Sequence, residues 1–515
     1  MTHKTFSLTL TYIIIFVINF YYSTQSHVTM SNALKVRVRF APAPTGTMHL
    51  GNIRTALMNF LYAKQQNGTL VLRIEDTDAQ RNFDPQARNI IGHLAWLGLD
   101  YDEGPLKGGP YPPYFQSERT SFYQEALEQL KQSGHIYRCF CTPEELEKKR
   151  DRQIALKMAP RYDRSCMALT AKELAQRIAD NTPYVWRMRL DHNEQVTIHD
   201  IARGNVTFEL KNFSDFPLTR ADGSFTFIFA NFVDDMLMEI THVFRGEDHL
   251  SNTANQVALY KAFGKKLPIY YHLPILCNIH GQKLSKRDFG FSINDLQADG
   301  FLPEAIGNYL MTLGGSYKEE LIPFDKLAEH ANFDNVQAGG QIKYDENKLK
   351  WFNHQWIQRY DAQALMQRCL PFIMQAFPTA AHPDAQKMSN LIRLVKAELH
   401  TLSQITTKLA FFFERPTLSL LDLEACVSAA HLSAITAIIQ ESLPLDKLDE
   451  PDKFTEKLKQ HAATQNIPLK ELFSLVRLAL TGSVKGIGIA DLVHALGIQE
   501  AEYRLKQMLD CLHNR

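Results

Sequence analysis

Ala41-Pro-Ala-Pro-Thr-Gly-Thr-Met-His-Leu-Gly-Asn52 is the stretch on which the fold turns. It follows Lys35-Val-Arg-Val-Arg-Phe40, where charged and apolar residues alternate as in a strand. It precedes residues 53–66, whose apolar positions recur at helical spacing up to a stop at Asn67-Gly68. Thr69-Leu-Val-Leu-Arg-Ile74 is then nearly continuously apolar, the pattern of a strand buried on both faces in a parallel sheet. Strand, glycine-containing turn, helix and strand make one βαβ unit. The turn after its first strand opens onto a helix N-terminus, where unsatisfied N–H groups and the helix dipole favour phosphate. His49, Gly51 and Asn52 stand at that point.

Far along the chain, Lys283-Leu-Ser-Lys-Arg287 sets two lysines and an arginine around a serine. Either segment alone is a weak signal, since a His-x-Gly turn is commonly just a helix start and a short basic loop is commonly a solvated surface. In this order, with Leu72-Arg-Ile-Glu-Asp-Thr-Asp78 between them, they form a two-sided clamp for a nucleoside triphosphate. With these three segments the chain resembles a class I aminoacyl-tRNA synthetase, and within that class the bacterial glutamyl-tRNA synthetase family. The resemblance runs from about Val36 to the C-terminus.

That family implies an α/β fold, with a Rossmann-type parallel-sheet catalytic domain, a connective insertion and an all-helical C-terminal region. The expected division is an N-terminal extension without structural role (1–29), the first catalytic half (30–115), an insertion that meets the tRNA acceptor end (116–222), the second catalytic half (223–280), a stem-contact region carrying the basic loop (281–355) and a helical anticodon-binding domain (356–515). The residue pattern agrees in outline. A helix is expected over 85–97, closing on Gly98, and a charged one over 143–155. The strand pattern resumes in 225–230, 240–245 and 270–275, and amphipathic helices follow Trp351.

Activation of an amino acid needs its α-carboxylate to attack the α-phosphorus of ATP, and no protein nucleophile takes part. Positioning and charge neutralisation in a dry cleft supply most of such catalysis. The resemblance then implies roles. His49, with the backbone of Gly51 and Asn52, would meet the triphosphate of ATP. Lys286, supported by Lys283, would neutralise charge on the departing pyrophosphate, and Mg²⁺ accompanies ATP in such reactions. Arg39 would grip the side-chain carboxylate of glutamate through two parallel hydrogen bonds, a fit that a glutamine amide cannot reproduce. Glu75 matches the ligand of the substrate ammonium and Arg245 that of the α-carboxylate, while Ala41, Phe227 and Asn231 complete the pocket. Two positions depart from the family pattern: Ala43 stands where serine is common and Phe227 where tyrosine is, each removing one hydroxyl near the amino acid.

Cys139-x-Cys141 and Cys166 resemble the zinc-bearing insertion of some members, and thiolates so spaced suit a tetrahedral Zn²⁺. Ala168 occupies the position where a fourth ligand is expected. Tyr162 is the available substitute, and ordinary thiols are the competing reading.

Lys+Arg and Asp+Glu both number 56, so no global basic field advertises RNA, although a local face suffices. Seven cysteines, an odd and scattered set, fit a reducing compartment better than a disulfide framework. Residues 8–22 form an apolar run shorter than the roughly 20 residues of a spanning helix. It reads as an upstream extension with translation starting at Met30, as a signal or anchor, or as an organelle-targeting peptide. Consumption of ATP and tRNA favours the first reading and the cytoplasm. The expected partners are tRNA(Glu), L-glutamate and ATP, with no membrane partner, and the expected state is a monomer. Three alternatives compete. A tRNA-modifying relative would lack the C-terminal domain, a glutaminyl-tRNA synthetase would end in β-barrels, and a non-catalytic paralogue is encouraged only by Ala43 and Phe227.

Overall fold

The computed structural model describes residues 35–78, 82–285, 288, 292–315, 319–334, 336–379, 383–445 and 451–513. The apolar run 8–22, Met30, Lys286 and Arg287 lie outside the described residues.

The βαβ unit forms as the sequence requires. Strand β1 (Arg37–Phe40) is followed by helix α1 (Leu50–Gln65) and strand β2 (Thr69–Leu72). β1 and β2 pair in parallel, from Arg37 opposite Thr69 to Phe40 opposite Leu72. α1 buries Ile53, Leu57 and Leu61 against this pair. The connection to β2 needs glycine, because a Cβ on Gly68 would lie 2.6 Å from the Val36 carbonyl oxygen. Helix α2 (Arg88–Leu97) starts later than its apolar spacing predicts. Ala87 is left-handed at φ +52°, and the Asp84 carboxylate accepts the backbone N–H groups of Arg88 and Asn89, both at 3.0 Å. An aspartate thus supplies the cap that satisfies the first turn.

The middle of the chain contains α3 (Thr120–Gln132), β3 (Ile136–Cys139), α4 (Pro143–Ala155), α5 (Ala171–Ala179) and β4 (Val185–Met188), with β4 antiparallel to β3. A hairpin follows, β5 (Gln195–Asp200) and β6 (Gly204–Glu209). Although it falls within the expected insertion, β5 bonds to the second half of the catalytic sheet, Asp200 pairing in parallel with Tyr270.

Residues 225–230, expected to be a strand, instead enter helix α6 (Phe227–Leu237). The segment Phe-Ile-Phe-Ala-Asn-Phe-Val is apolar at nearly every position and buried over most of its length, so neither a period of 2 nor one of 3.6 is visible. The helix places Phe227 and Asn231 one turn apart on a single face.

β7 (His242–Gly246), α7 (Leu250–Ala262) and β8 (Ile269–Leu273) complete the second half, with β7 parallel to β8. Thr241 N–H donates to the Arg37 carbonyl at 3.0 Å and Arg37 N–H to Thr241 Oγ1 at 2.8 Å, which docks β1 beside β7. The resulting order is β2-β1-β7-β8-β5-β6. Chain order runs in opposite directions on the two sides of the β1/β7 boundary. Open parallel sheets bind ligands at such a boundary, beyond the carboxyl ends of the strands.

Strand β9 (Leu276–Cys277) pairs with β10 (Ile342–Lys343), and the chain between them contains α8 (Ile293–Ala298) and α9 (Pro303–Thr312). From Glu346–Arg359 to Ile498–His513 the described residues form helices and no strand. One continuous apolar core runs from Val38 and Leu57 through Leu310 and Phe352 to Leu475 and Leu505, so the helical tail shares its interior with the catalytic half. Smaller clusters lie under α3, α6 and α7 and between β5 and β7. Among the described residues no helix is long and apolar enough to cross a membrane.

Candidate active site

A cavity of about 350 Å³ opens at the carboxyl ends of β7 and β8 and at the start of α1. His49, Gly51, Asn52, Gly246, Asp248 and Lys283 are among the residues that line it. His49 caps α1: its Nδ1 accepts the Asn52 N–H at 3.3 Å, and Asn52 Oδ1 accepts the His49 N–H at 3.2 Å. Gly51 keeps that corner narrow, since a Cβ there would meet the His49 ring at 3.0 Å. Burial, and then the nearby Lys283 ammonium, push the His49 imidazole below its ordinary pKa, so the ring is neutral at pH 7. Lys283 is placed by a short backbone strap in which Leu284 N–H donates to the Leu276 carbonyl at 3.0 Å, and its Nζ donates to Asp248 Oδ2 at 2.9 Å. The two ends of the expected clamp that can be described, His49 and Lys283, therefore share one hollow. Lys286 lies outside the described residues.

Next to this cavity is a buried set of charged side chains. Arg39 on β1 donates through Nε to both oxygens of Asp235, at 3.1 and 3.2 Å, and through Nη1 to the Phe244 carbonyl at 3.2 Å. Arg73, fully buried, donates to Asp235 at 2.7 Å and to Glu75 at 3.1 Å, and Asn231 Nδ2 donates to the same Glu75 oxygen at 2.6 Å. Gln256 fixes the Asn231 amide, donating to its Oδ1 at 2.8 Å. Burial pushes the Glu75 carboxyl up, against the pull of Arg73 and Arg39.

Arg245 at the end of β7 is held differently. Its Nη2 donates to Thr253 Oγ1 at 2.6 Å and its Nε to His272 Nε2 at 3.3 Å. Among the described residues no carboxylate lies within ion-pair distance of it. Burial lowers the guanidinium to about 10, so it remains charged at pH 7 with its charge uncompensated by direct contact. Burial, and then the Arg245 charge, lower the His249 imidazole, whose ring centroid lies 5.8 Å from that of Phe227. Ala41, half-buried just past β1, has no side-chain polar group and can enter only through its backbone.

Several of these supports are missed by sequence reasoning. Asp234 and Asp235 carry a signal, an acidic pair closing an apolar run, because buried carboxylates need partners. Asp234 accepts from Arg119 at 2.6 Å, Gln116 at 2.7 Å and Tyr123 at 2.9 Å. Arg73, Thr253, Gln256 and His272 carry no signal visible without their partners.

The insertion brings its predicted ligands together. The Sγ atoms of Cys139, Cys141 and Cys166 lie within 4.8 Å of one another. Tyr162 Oη is 3.2 Å from Cys139 Sγ and 3.9 Å from Cys141 Sγ, and accepts the Cys166 N–H at 3.1 Å. The Cys166 thiol is held below its ordinary value: burial opposes ionisation, but bonds from Tyr162 and the Phe140 N–H favour the thiolate. Three sulfurs so grouped could hold one metal ion, and the Tyr162 phenolic oxygen stands beside two of them.

Comparison with known proteins agrees with this geometry. Residues 35–351 match the tRNA synthetases class I (E and Q) catalytic domain, and residues 364–509 match an anticodon binding domain. The chain belongs to the class I tRNA synthetases of the glutamate and glutamine group. Its similar proteins include the glutamate–tRNA ligase of Geobacillus thermodenitrificans, 36% identical over 93% of this chain and 99% of that protein. The glutamate–tRNA ligase of Finegoldia magna is 34% identical over 92% and 99%. Among solved structures, a glutamate tRNA ligase from Elizabethkingia meningosepticum in complex with its amino acid superimposes with a TM-score of 0.82 at 31% identity, covering 93% of this chain and all of that one.

Proposed function

We propose that the hollow at the carboxyl ends of β7 and β8, beside the β1/β7 boundary, is where glutamate and ATP react, in an enzyme with the activity of a glutamate–tRNA ligase. The α-carboxylate of glutamate attacks the α-phosphorus of ATP and pyrophosphate leaves. The 2′-hydroxyl of the terminal adenosine of tRNA(Glu) then takes the acyl group and AMP leaves. The observation that carries this reading is the juxtaposition of His49 and Lys283 around one cavity beside Arg39 and Arg245, the last a buried cation that no carboxylate contacts among the described residues.

In this reading the neutral His49 ring and the Gly51 and Asn52 backbone meet the phosphates, and Lys283 and Lys286 neutralise the leaving pyrophosphate. Arg245 receives the α-carboxylate, Glu75 the ammonium and Arg39 the side-chain carboxylate, with Asn231, Phe227 and Ala41 as walls. Mg²⁺ arrives with ATP as its counter-ion. Zn²⁺ is the metal that Cys139, Cys141, Cys166 and Tyr162 would take. Four protein ligands leave no open position, so its place would be structural. All seven cysteines are free thiols, which supports a reducing compartment and with it the cytoplasm. The monomer is the expected state.

Aminoacylation of purified tRNA(Glu) and tRNA(Gln), with glutamate and glutamine supplied separately, tests the reading. Esterification of glutamate and not glutamine to tRNA(Glu) is expected. Glutamine charged as readily as glutamate would overturn it, because a guanidinium facing a neutral amide is left unpaired.

A further inference from the structure

Arg245 is reached from below by a chain of buried groups with no assigned task. His272, on β8 directly beside Arg245 in the β7/β8 register, is fully buried. Its Nδ1 lies 2.7 Å from Asp200 Oδ2, and Asp200, also fully buried, accepts the His272 backbone N–H at 3.0 Å on the same oxygen. The other Asp200 oxygen accepts the N–H groups of Ala202 and Arg203, both at 3.0 Å, at the turn of the β5/β6 hairpin. With a carboxylate at Nδ1, the neutral imidazole carries its proton there. Nε2 is then an acceptor, and it faces Arg245 Nε at 3.3 Å and Thr253 Oγ1 at 2.9 Å.

We infer that Asp200 and His272 are positioning residues for Arg245, holding its guanidinium toward the amino acid's α-carboxylate while keeping its charge unpaired. This rests on the reading of Arg245 as the ligand of that carboxylate. A carboxylate placed directly on Arg245 would orient it equally well, but it would also neutralise it and compete with the substrate. An imidazole between Asp200 and Arg245 orients the cation through a neutral lone pair and keeps the anion one ring away. Thr253 does the same from α7 through a hydroxyl. Tyr270 stacks on the His272 ring at 5.6 Å and 10°, which fixes the plane of the lone pair.

The test is competition in tRNA-dependent ATP–pyrophosphate exchange with the full-length enzyme. L-glutamate is compared with glutamol, its α-alcohol, which keeps the ammonium and side-chain carboxylate and lacks the α-carboxylate. His272→Leu should weaken glutamate by about tenfold or more, the range of one lost charge-assisted hydrogen bond. It should leave the inhibition constant of glutamol within about twofold. His272→Gln, whose amide oxygen can replace the acceptor, should restore most of the glutamate affinity. If His272→Leu does not fold, Thr253→Val, nearly isosteric, removes a second hydrogen bond to the same guanidinium and should show the same selectivity. Equal weakening of glutamate and glutamol, or no effect on either, would overturn the inference. Arg245→Lys separates the two levels: if it weakens both compounds alike, the role of Arg245 itself is wrong and the inference falls with it. If Arg245→Lys selects against glutamate and neither His272→Leu nor Thr253→Val does, only the positioning role fails.

Discussion

Two guanidinium groups, on neighbouring strands of one sheet, are held by opposite means. Arg39 is closed against Asp235, which it shares with the fully buried Arg73, and Glu75 and Asp234 answer Arg73 in turn, so the charge of Arg39 is met inside the protein. Arg245 touches a hydroxyl and an imidazole nitrogen, and among the described residues no carboxylate contacts it. Removing one partner of a buried ion pair strands the other in a low dielectric. Removing a cation that has no contacting counter-charge strands nothing. The first arginine should therefore matter to stability as well as to substrate, and the second to substrate alone.

The largest expected effect breaks or confirms this contrast directly. Arg245→Ala should lower kcat/KM for glutamate by about 10³, the cost of losing a buried charge-pair partner, while leaving the unfolding midpoint unchanged or slightly raised. Steady-state exchange and denaturant unfolding on one preparation check both halves, and a marked loss of stability would make Arg245 a structural residue. Arg39→Ala should cost about 3 kcal/mol of stability, the low end for a broken buried pair because Arg73 stays with Asp235. It should also raise the KM for glutamate far more than that for ATP. Equal changes in the two KM values would leave Arg39 a structural ion pair.

The pH dependence sharpens the same contrast. Burial lowers the His272 ring to about 4, in spite of Asp200, with Arg245 and Arg203 adding to the depression. An unfolded chain binds a proton near 6.5, so between these values the unfolded state holds more protons. His272 therefore costs nothing above pH 6.5, and stability is lost as pH falls from about 6.5 toward 4, by up to about 3 kcal/mol for a fully buried ring. Unfolding curves from pH 4 to 8 should show this slope, and His272→Gln should flatten part of it. The remainder is shared by other rings that burial lowers, among them His242, at about 4, and His49 and His249. An unchanged slope would mean that the ring is not the neutral support of Arg245. The smallest effect concerns the pocket wall: Phe227→Tyr should lower the KM for glutamate by about threefold, the yield of one added neutral hydrogen bond. Measured beside Arg39→Ala, no change would place the missing hydroxyl outside the reach of the amino acid.

The legible part of the molecule was the part with local causes. The βαβ unit around His49 follows from period and punctuation, and the structure keeps both strands, the helix and its stop at Asn67 and Gly68. The Cys139, Cys141 and Cys166 cluster was legible through its resemblance to the zinc-bearing insertion of some family members, and Tyr162 does stand beside the thiols. The start of α2 was misplaced by three residues because Asp84 caps it from outside the apolar pattern. The segment 225–230 was misread because a run buried on every side shows no period. The attachment of the β5/β6 hairpin to β8 was invisible because strand partners distant in sequence leave no trace in either strand alone.

The sequence by itself determined the chemistry on offer: a phosphate-binding turn at His49, a basic loop at Lys283, and arginines and a glutamate suited to an acidic amino acid. The turn and the loop are properties of residue types at short spacing, whereas the roles of the arginines and the glutamate are what the family resemblance implies. Only the tertiary structure decided which cations are already matched. That depends on which carboxylates arrive from Asp200 and Asp235, about 45 and 10 residues away from Arg245 and brought close by sheet pairing and helix packing. Arg245, which folding leaves with no carboxylate in contact among the described residues, is the more open to a substrate anion, and Arg39 has to share its charge with Asp235.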